Sequence, residues 1–524
     1  MQDKRRFKND YFLFCIALGG IIFPVLFYSG YKVHNTETLV IGIVFLVVTL
    51  AVTYVCRAYD HLFLALLLSL NIAIFYLPPN NLSIWIFLFL ALYALGKFKK
   101  DVLIVAVLCV SASGLLAAPF VHTRFVHESL EGGQKAVSDK PSVIHIVLDE
   151  YIGTDELPRD IFSDAEVEAL GRFYEERGFA RFQKSFSSFS ETQKSLAQVF
   201  NPDARDIDGY LSASPSNRGF SLKRSEILSD LSAGRHFQAM SDYLYFDGMI
   251  GNGLENYTLT NFNTSVPFGL QERFNLPLLQ RVHHAIAISY GWVFNTQEVG
   301  VIKAFIRTFA KLTPGSFNAL DSSGIVSTLG SMVMLDEIIE ETIPKLGRGH
   351  YLYAHLLLPH YPYTFDRNCD VLAAGDWSSR RPMFSKQTVE TRRENYRLYY
   401  EQLLCVHRKI DALISAIDAN PKLHDTTIII HGDHGPRIGF WPQDITEEVR
   451  ASGYTQSRYL KDFLSTSFAV RLPDGKAQTF SNPIGIHQIY QKLYQADFQH
   501  LDVDDVTPPE IAVEIFPELS ASLQ

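Results

Sequence analysis

Residues 426–435 read TTIIIHGDHG, and this stretch decides the fold. The run at 426–430 is short, apolar and β-branched, the composition of a strand buried on both faces. It stops at His431, Gly432, Asp433, His434 and Gly435. A carboxylate and an imidazole side by side between glycines can turn together toward one cation. The same pair can also sit in an ordinary turn, so taken alone this motif leaves both readings open.

Two more stretches share the design. Residues 143–150, VIHIVLDE, form a strand pattern stopped by Asp149 and Glu150, and residues 351–360, YLYAHLLLPH, form another that ends at Pro359 and His360. Helical patterning covers 164–177 and 396–419. Strands that alternate with helices and end in polar residues predict an α/β domain with a mostly parallel sheet. In such sheets ligands gather at the carboxyl ends of the strands. Residues 201–349 show no repeat and no motif, with a polar stretch around 251–263.

The candidate chemistry follows from these ends. Asp149 reads either as a metal ligand or as a turn residue, and Glu150 either adds an oxygen ligand or faces solvent. Thr192 lies in SFSSFSETQKSLAQVFN (185–201), a Ser/Phe loop running into a helix. A hydroxyl at a helix N-terminus beside a divalent ion can lose its proton and become a nucleophile. Ser190 or Thr192 can equally cap that helix. His355 and His360 flank a strand end, within reach of a substrate phosphate or leaving group.

Composition sets the context. The chain has 524 residues, 47% hydrophobic and 20% charged, too apolar for a disordered protein. Residues 1–121 carry nine basic and five acidic side chains. From totals of 47 and 56, the remainder carries 38 basic and 51 acidic. That acidic balance argues against nucleic acid. The first 121 residues hold five apolar runs of bilayer-spanning character, at 11–31, 38–56, 61–77, 82–96 and 102–121. The fourth is short and the third meets Pro78-Pro79, so four spans remain open. Lys4, Arg5, Arg6 and Lys8 precede the first run, Arg57 follows the second, and Lys97, Lys99 and Lys100 follow the fourth. Basic loops mark the cytoplasmic side, so five spans place residue 122 onward outside the cytoplasm. The expected organisation is a membrane domain at 1–121, a linker at 122–140 and an exported domain at 141–524. Of five cysteines only Cys369 and Cys405 lie in that domain, either paired or as two buried thiols.

From about residue 141 to 501 the chain resembles the sulfatase-like branch of the alkaline phosphatase superfamily. The elements stand in the family's order: VIHIVLDE, then ETQKSLAQVFN (191–201), HLLLPHYPYTFD (355–366) and HGDHGPR (431–437). With five spans ahead of them, they look like lipoteichoic acid synthases and lipid A phosphoethanolamine transferases. The resemblance implies an α/β fold behind transmembrane helices. It implies Asp149, Thr192, Asp433 and His434 as metal ligands, with Glu150 a further candidate and one metal or two left open. Thr192 would be the nucleophile, His355 and His360 would line the substrate site, and Arg437 would hold a phosphate oxygen. The Cys-x-Pro-x-Arg sequence of true sulfatases is absent, which speaks against sulfate-ester hydrolysis. The implied activity is transfer of phosphoethanolamine or phosphoglycerol from a membrane phospholipid to a glycan or lipid-linked sugar, at a bacterial inner membrane. The alternative is a phosphodiesterase or phosphatase using the same site. The ligand set suits manganese or zinc, with magnesium also open.

Overall fold

In the computed structural model the described residues are 128–133, 138–213, 220–241, 244–261, 324–372, 387–440 and 445–503, with a few helical positions elsewhere. Apart from residues 38–43, 47 and 90, the membrane domain expected at 1–121 lies outside them. Among the described residues no helix is long and apolar enough to cross a membrane. The chain divides into two units. One comprises residues 1–126, 264–326 and 373–379, and the other residues 127–263, 327–372 and 380–524. Every candidate site residue belongs to the second.

That unit is built on a nine-stranded sheet: β1 (Glu128–Gly132), β2 (Val143–Leu148), β3 (Ala180–Phe182), β4 (His236–Ser241), β5 (Tyr257–Asn261), β6 (His350–Leu356), β7 (Thr427–Gly432), β8 (Phe468–Arg471) and β9 (Gln478–Phe480). The spatial order is β1-β5-β4-β6-β2-β7-β8-β3-β9. The central run β5-β4-β6-β2-β7 is parallel throughout. The helices are α1 (Asp164–Glu175), α2 (Thr192–Val199), α3 (Glu226–Gly234), α4 (Gly324–Glu337), α5 (Val389–Ala419), α6 (Glu447–Ala451), α7 (Gln456–Leu464) and α8 (Ile486–Gln495).

Burial explains why β2 and β7 read as continuous apolar runs. Val143, Val147, Tyr351, Tyr353 and Ile429 pack with Leu196 and Val199 of α2, Leu228 of α3 and Ile489 of α8. The alternate residues Ile144, Ile146, Leu352, Ile428 and Ile430 are equally inaccessible to solvent. Both faces are therefore covered, as a parallel sheet requires.

Register then brings the strand ends together. Val143 pairs with both Tyr351 and Thr427, and Leu148 with both Leu356 and Gly432. Side chains alternate with period two, so His355 and Val147 share a row with His431 on the face packed by α2. Asp149 and Asp433 each follow one residue past the last paired row.

The elements differ from expectation in instructive ways. β6 ends at Leu356 rather than 358, because the Leu358 N–H turns back to the Leu356 carbonyl (2.7 Å) ahead of Pro359. β7 runs on to Gly432, whose N–H donates to Ser467 O (2.9 Å). A Cβ on Gly432 would stand 2.4 Å from the Tyr151 carbonyl, so only glycine permits this approach. Helix α5 begins seven residues early, where Thr388 closes a capping box with Thr391. The expected linker contains β1, an edge strand paired antiparallel with β5.

His431 belongs to the core rather than to the site. Its Nδ1 donates to Gly432 O (2.7 Å), so Nε2 must accept from His145 Nε2–H (2.7 Å). His145 Nδ1 then accepts from the Tyr351 hydroxyl at 2.7 Å, which lies 2.6 Å from that of Tyr490. Burial keeps both imidazoles neutral, with the pKa of His431 lowered to about 4.

Candidate active site

Asp149, Thr192, His355, Asp433 and His434 converge in the second unit, all nearly inaccessible to solvent. Asp149 is held at the end of β2 by its N–H, which donates to Leu356 O (2.9 Å). Thr192 is the first residue of α2. The helix cap is Glu191, which makes no side-chain capping bond, so the Thr192 hydroxyl is not used for capping. Its Oγ1 lies 3.1 Å from His434 Nε2 and 3.5 Å from Asp149 Oδ2. His434 Nδ1 donates to Gly435 O (2.9 Å), which leaves the Nε2 lone pair turned toward the site. That nitrogen is 3.2 Å from Asp433 Oδ2 and 3.9 Å from Asp149 Oδ1.

This arrangement tests whether a metal fits. Asp149 Oδ1 and Asp433 Oδ2 are both buried without a hydrogen-bond partner. A lone pair on His434 Nε2 facing a bare carboxylate oxygen at 3.2 Å lacks a positive charge between them. Buried carboxylates are retained where they are paired or coordinate a cation. The donor set therefore fits a divalent ion. The electrostatics agree: burial, and then the neighbouring Asp149 charge, push the Asp433 carboxyl up. Burial would also raise Asp149, but positive charge on the neighbouring imidazoles, His360 first and then His355 and His434, outweighs it and holds that carboxyl low; with His434 neutral, a divalent ion would supply that charge instead.

His355 Nε2 stands 3.7 Å from Asp149 Oδ2. Asp149, His355 and Asp433 form one group of donor atoms close enough to share an ion, and Asp149, Glu150 and His360 form another. His355 thus lies deeper than a substrate-lining role alone requires. His360 Nε2 is 3.6 Å from Glu150 Oε1. Arg437 is paired within the site: its Nη2 and Nε donate to Glu150 Oε1 at 2.6 and 3.0 Å.

Supporting residues that carry no sequence motif hold these groups in place. Ser195 Oγ donates to the Asp433 carbonyl (2.6 Å) and meets Ser187 Oγ at 2.8 Å, tying α2 to the end of β7. Its position three residues after Thr192, on the same helix face, was the available signal. Gln402 of α5 is fully buried. Its amide donates to the carbonyls of Pro359 and His360 (both 3.0 Å) and accepts from the N–H of Thr364 (2.8 Å) and Phe365 (3.2 Å). Three residues on, Cys405 forms a disulfide with Cys369, so the loop carrying His360 is fastened to α5 twice. Asp462 of α7 receives Arg458 Nε (2.7 Å) and the Tyr454 hydroxyl (3.1 Å), and its carbonyl accepts the Arg437 N–H (2.8 Å). A Cβ on Gly435 would meet that carbonyl at 2.6 Å, which accounts for the second glycine of the motif.

No curated protein matches this chain. Among solved structures it is similar to the C-terminal periplasmic domain of EcEptC from Escherichia coli, at 10% identity over 72% of this chain and 86% of that one, with a TM-score of 0.36. It is similar to the integral membrane protein lipooligosaccharide phosphoethanolamine transferase A from Neisseria meningitidis, at 11% identity over 91% and 94% with a TM-score of 0.34. A third is the phosphonate monoester hydrolase of Agrobacterium radiobacter, at 13% identity over 68% and 73% with a TM-score of 0.38. The match to a family is broader than any single motif: residues 175–460, more than half of the sequence and all of the site except Asp149 and Glu150, fit the Sulfatase family, and the chain belongs to it.

Proposed function

We propose that the chain is a membrane-anchored phosphotransferase. It moves a phospho-alcohol head group, phosphoethanolamine or phosphoglycerol, from a phospholipid to an envelope glycan or lipid-linked sugar. The observation that carries this reading is the Thr192 hydroxyl. It stands at a helix N-terminus without serving as its cap, 3.1 Å from His434 Nε2 and 3.5 Å from Asp149 Oδ2, in a site with two buried carboxylate oxygens that have no hydrogen-bond partner. The chain has no Cys-x-Pro-x-Arg sequence, so Thr192 takes the place of a modified cysteine. The apolar runs in 1–121 and the Cys369–Cys405 bond support a multi-pass protein of a bacterial inner membrane with its catalytic domain in an oxidising, extracytoplasmic space.

Asp149, Asp433, His434 and Thr192 would hold a divalent ion, manganese, zinc or magnesium, whose chemistry is to ease loss of the hydroxyl proton and to offset phosphoryl charge. Thr192 Oγ1, its proton released to solvent, attacks phosphorus, and the bond from phosphorus to the lipid oxygen breaks. His355 or His360 gives a proton to the departing oxygen. A phosphothreonine ester of the head group remains. An acceptor hydroxyl, deprotonated by the same imidazole, attacks phosphorus, and Thr192 Oγ1 leaves.

The test is the intact mass of the protein purified from its own membranes, beside Thr192→Ala. An added head-group mass on the wild type, absent from the variant, is the expected result. Cleavage of a generic phosphodiester to free product with no adduct would make it a hydrolase. No adduct and no cleavage would overturn both activities.

A further inference from the structure

Glu150 follows Asp149 at the end of β2, yet its carboxylate serves a different partner. Oε1 accepts from Arg437 Nη2 at 2.6 Å and from Nε at 3.0 Å, and the same oxygen lies 3.6 Å from His360 Nε2. Arg437 Nη1 also reaches the Ser190 carbonyl at 3.4 Å, two residues before Thr192. Both partners of the pair hold left-handed backbone, with φ of 62° at Glu150 and 56° at Arg437, a conformation that non-glycine residues adopt at a cost. The Glu150 N–H donates to Asp433 Oδ1 at 3.0 Å, and the Arg437 N–H to Asp462 O at 2.8 Å, so each backbone is fixed independently.

Asp149, Glu150 and His360 have donor atoms close enough together for a second divalent ion, but the guanidinium already takes Oε1 of Glu150 with two bonds, and Oε2 lies 3.5 Å from the Tyr361 N–H. We propose that Arg437 is the site's built-in second cation: Glu150 positions its guanidinium where a second metal would bind, and the centre takes one divalent ion.

The inference rests on the metal reading proposed above and decides between one ion and two. Charge supports it. Asp149, Glu150 and Asp433 carry three buried negative charges and Arg437, 12% exposed, one positive, so a single divalent ion brings the cluster to neutrality. Two divalent ions would leave two positive charges out of water, which is costly. A guanidinium has five N–H donors, and the contacts to Glu150 and Ser190 use three. The two that remain match the oxygens of a phosphoryl group. Arg437 is in this view a substrate-binding cation that cannot be chelated away, and Glu150 is its positioning residue rather than a ligand.

Metal content of the full-length protein, saturated with manganese and then desalted, tests this. The wild type is expected to retain one ion per chain. Arg437→Ala, with Glu150 released, is expected to retain two, and the added change Glu150→Gln to return it to one. Two ions in the wild type, or one in Arg437→Ala, would overturn the proposal while leaving the metal reading intact. No ion in the wild type would overturn both. Because Arg437→Ala strands a buried carboxylate and can fail to fold, Glu150→Gln alone gives a second reading. It is expected to keep one manganese ion with a Kd within about threefold of wild type. A tenfold or greater loss would make Glu150 a ligand and end the proposal.

Discussion

His407 offers a test of how the sulfatase-family fold responds to acid. Its ring is buried in α5, stacked on Phe173 at 4.3 Å, and its Nε2 lies 2.7 Å from the Tyr151 hydroxyl. Burial, assisted by Arg177, lowers its pKa to about 3. An unfolded chain titrates histidine near 6.5, so the unfolded state takes up the proton first as pH falls. The stabilisation is complete above 6.5 and is lost downward through the window from 6.5 to about 3. For a folded value of about 3 the loss on going from pH 7.5 to pH 5 is about 2 kcal/mol. His431, lowered to about 4, adds about 2 kcal/mol over the same interval. His407→Gln keeps an amide in that place and removes the titration. Urea unfolding of wild type and variant at pH 7.5, 6 and 5, followed by fluorescence, isolates one group, because every other titration cancels in the difference. The pH dependence of the variant should be shallower by about 2 kcal/mol between the end points. Parallel curves would refute the reasoning, since they would mean that His407 is protonated at no cost in the folded state.

Two further outcomes concern the loop that carries His360. The Cys369–Cys405 bond closes a segment with a sequence separation of 36, so Cys405→Ser or reductant should lower stability by about 4 kcal/mol through loop-closure entropy, read as a drop in the urea midpoint. Gln402→Leu removes the donors of two carbonyls and the acceptor of two N–H groups, and each group left unsatisfied costs about 1–3 kcal/mol. Its kcat/KM on a generic phosphodiester should fall at least about tenfold, because a displacement of about 1 Å at a reacting group costs more than that. A midpoint that falls with kcat/KM unchanged would show that the loop does not set the position of His360.

How much of this was legible in the sequence depended on whether a residue carried its own pattern. β2 was read to the residue because VIHIVL is buried on both faces and stopped by two acids. The parallel register of β6, β2 and β7 then did the work of assembly that no motif could. β1, ESLEG, was read as part of a linker because an edge strand needs no apolar run, and β5, YTLTN, fell in a stretch read only as polar. Ser195, Gln402 and Asp462 escaped notice for a different reason. A serine or glutamine on a helix face declares nothing until the tertiary fold supplies the carbonyl it must satisfy. Arg437 was placed at the site by its distance from Asp433 in sequence, but its partner Glu150 lies 287 residues away, and only the fold joins them.

The electrostatics of the domain look unsuited to an anionic substrate, with 51 acidic against 38 basic side chains after residue 121. The site resolves this locally. Exposed charges are screened over about 8–10 Å at physiological salt, whereas buried groups act on one another with little screening. What a phosphodiester meets is the balance of three buried carboxylates, one guanidinium and whatever ion the bare oxygens of Asp149 and Asp433 hold. On the proposed reading that balance would be negative without a divalent ion and would repel a phosphodiester; with one it would be neutral, leaving the guanidinium to orient the phosphoryl group. The proposed function thus couples affinity for substrate to affinity for metal through Asp149 and Asp433. The acidity of the surrounding surface has little part in either.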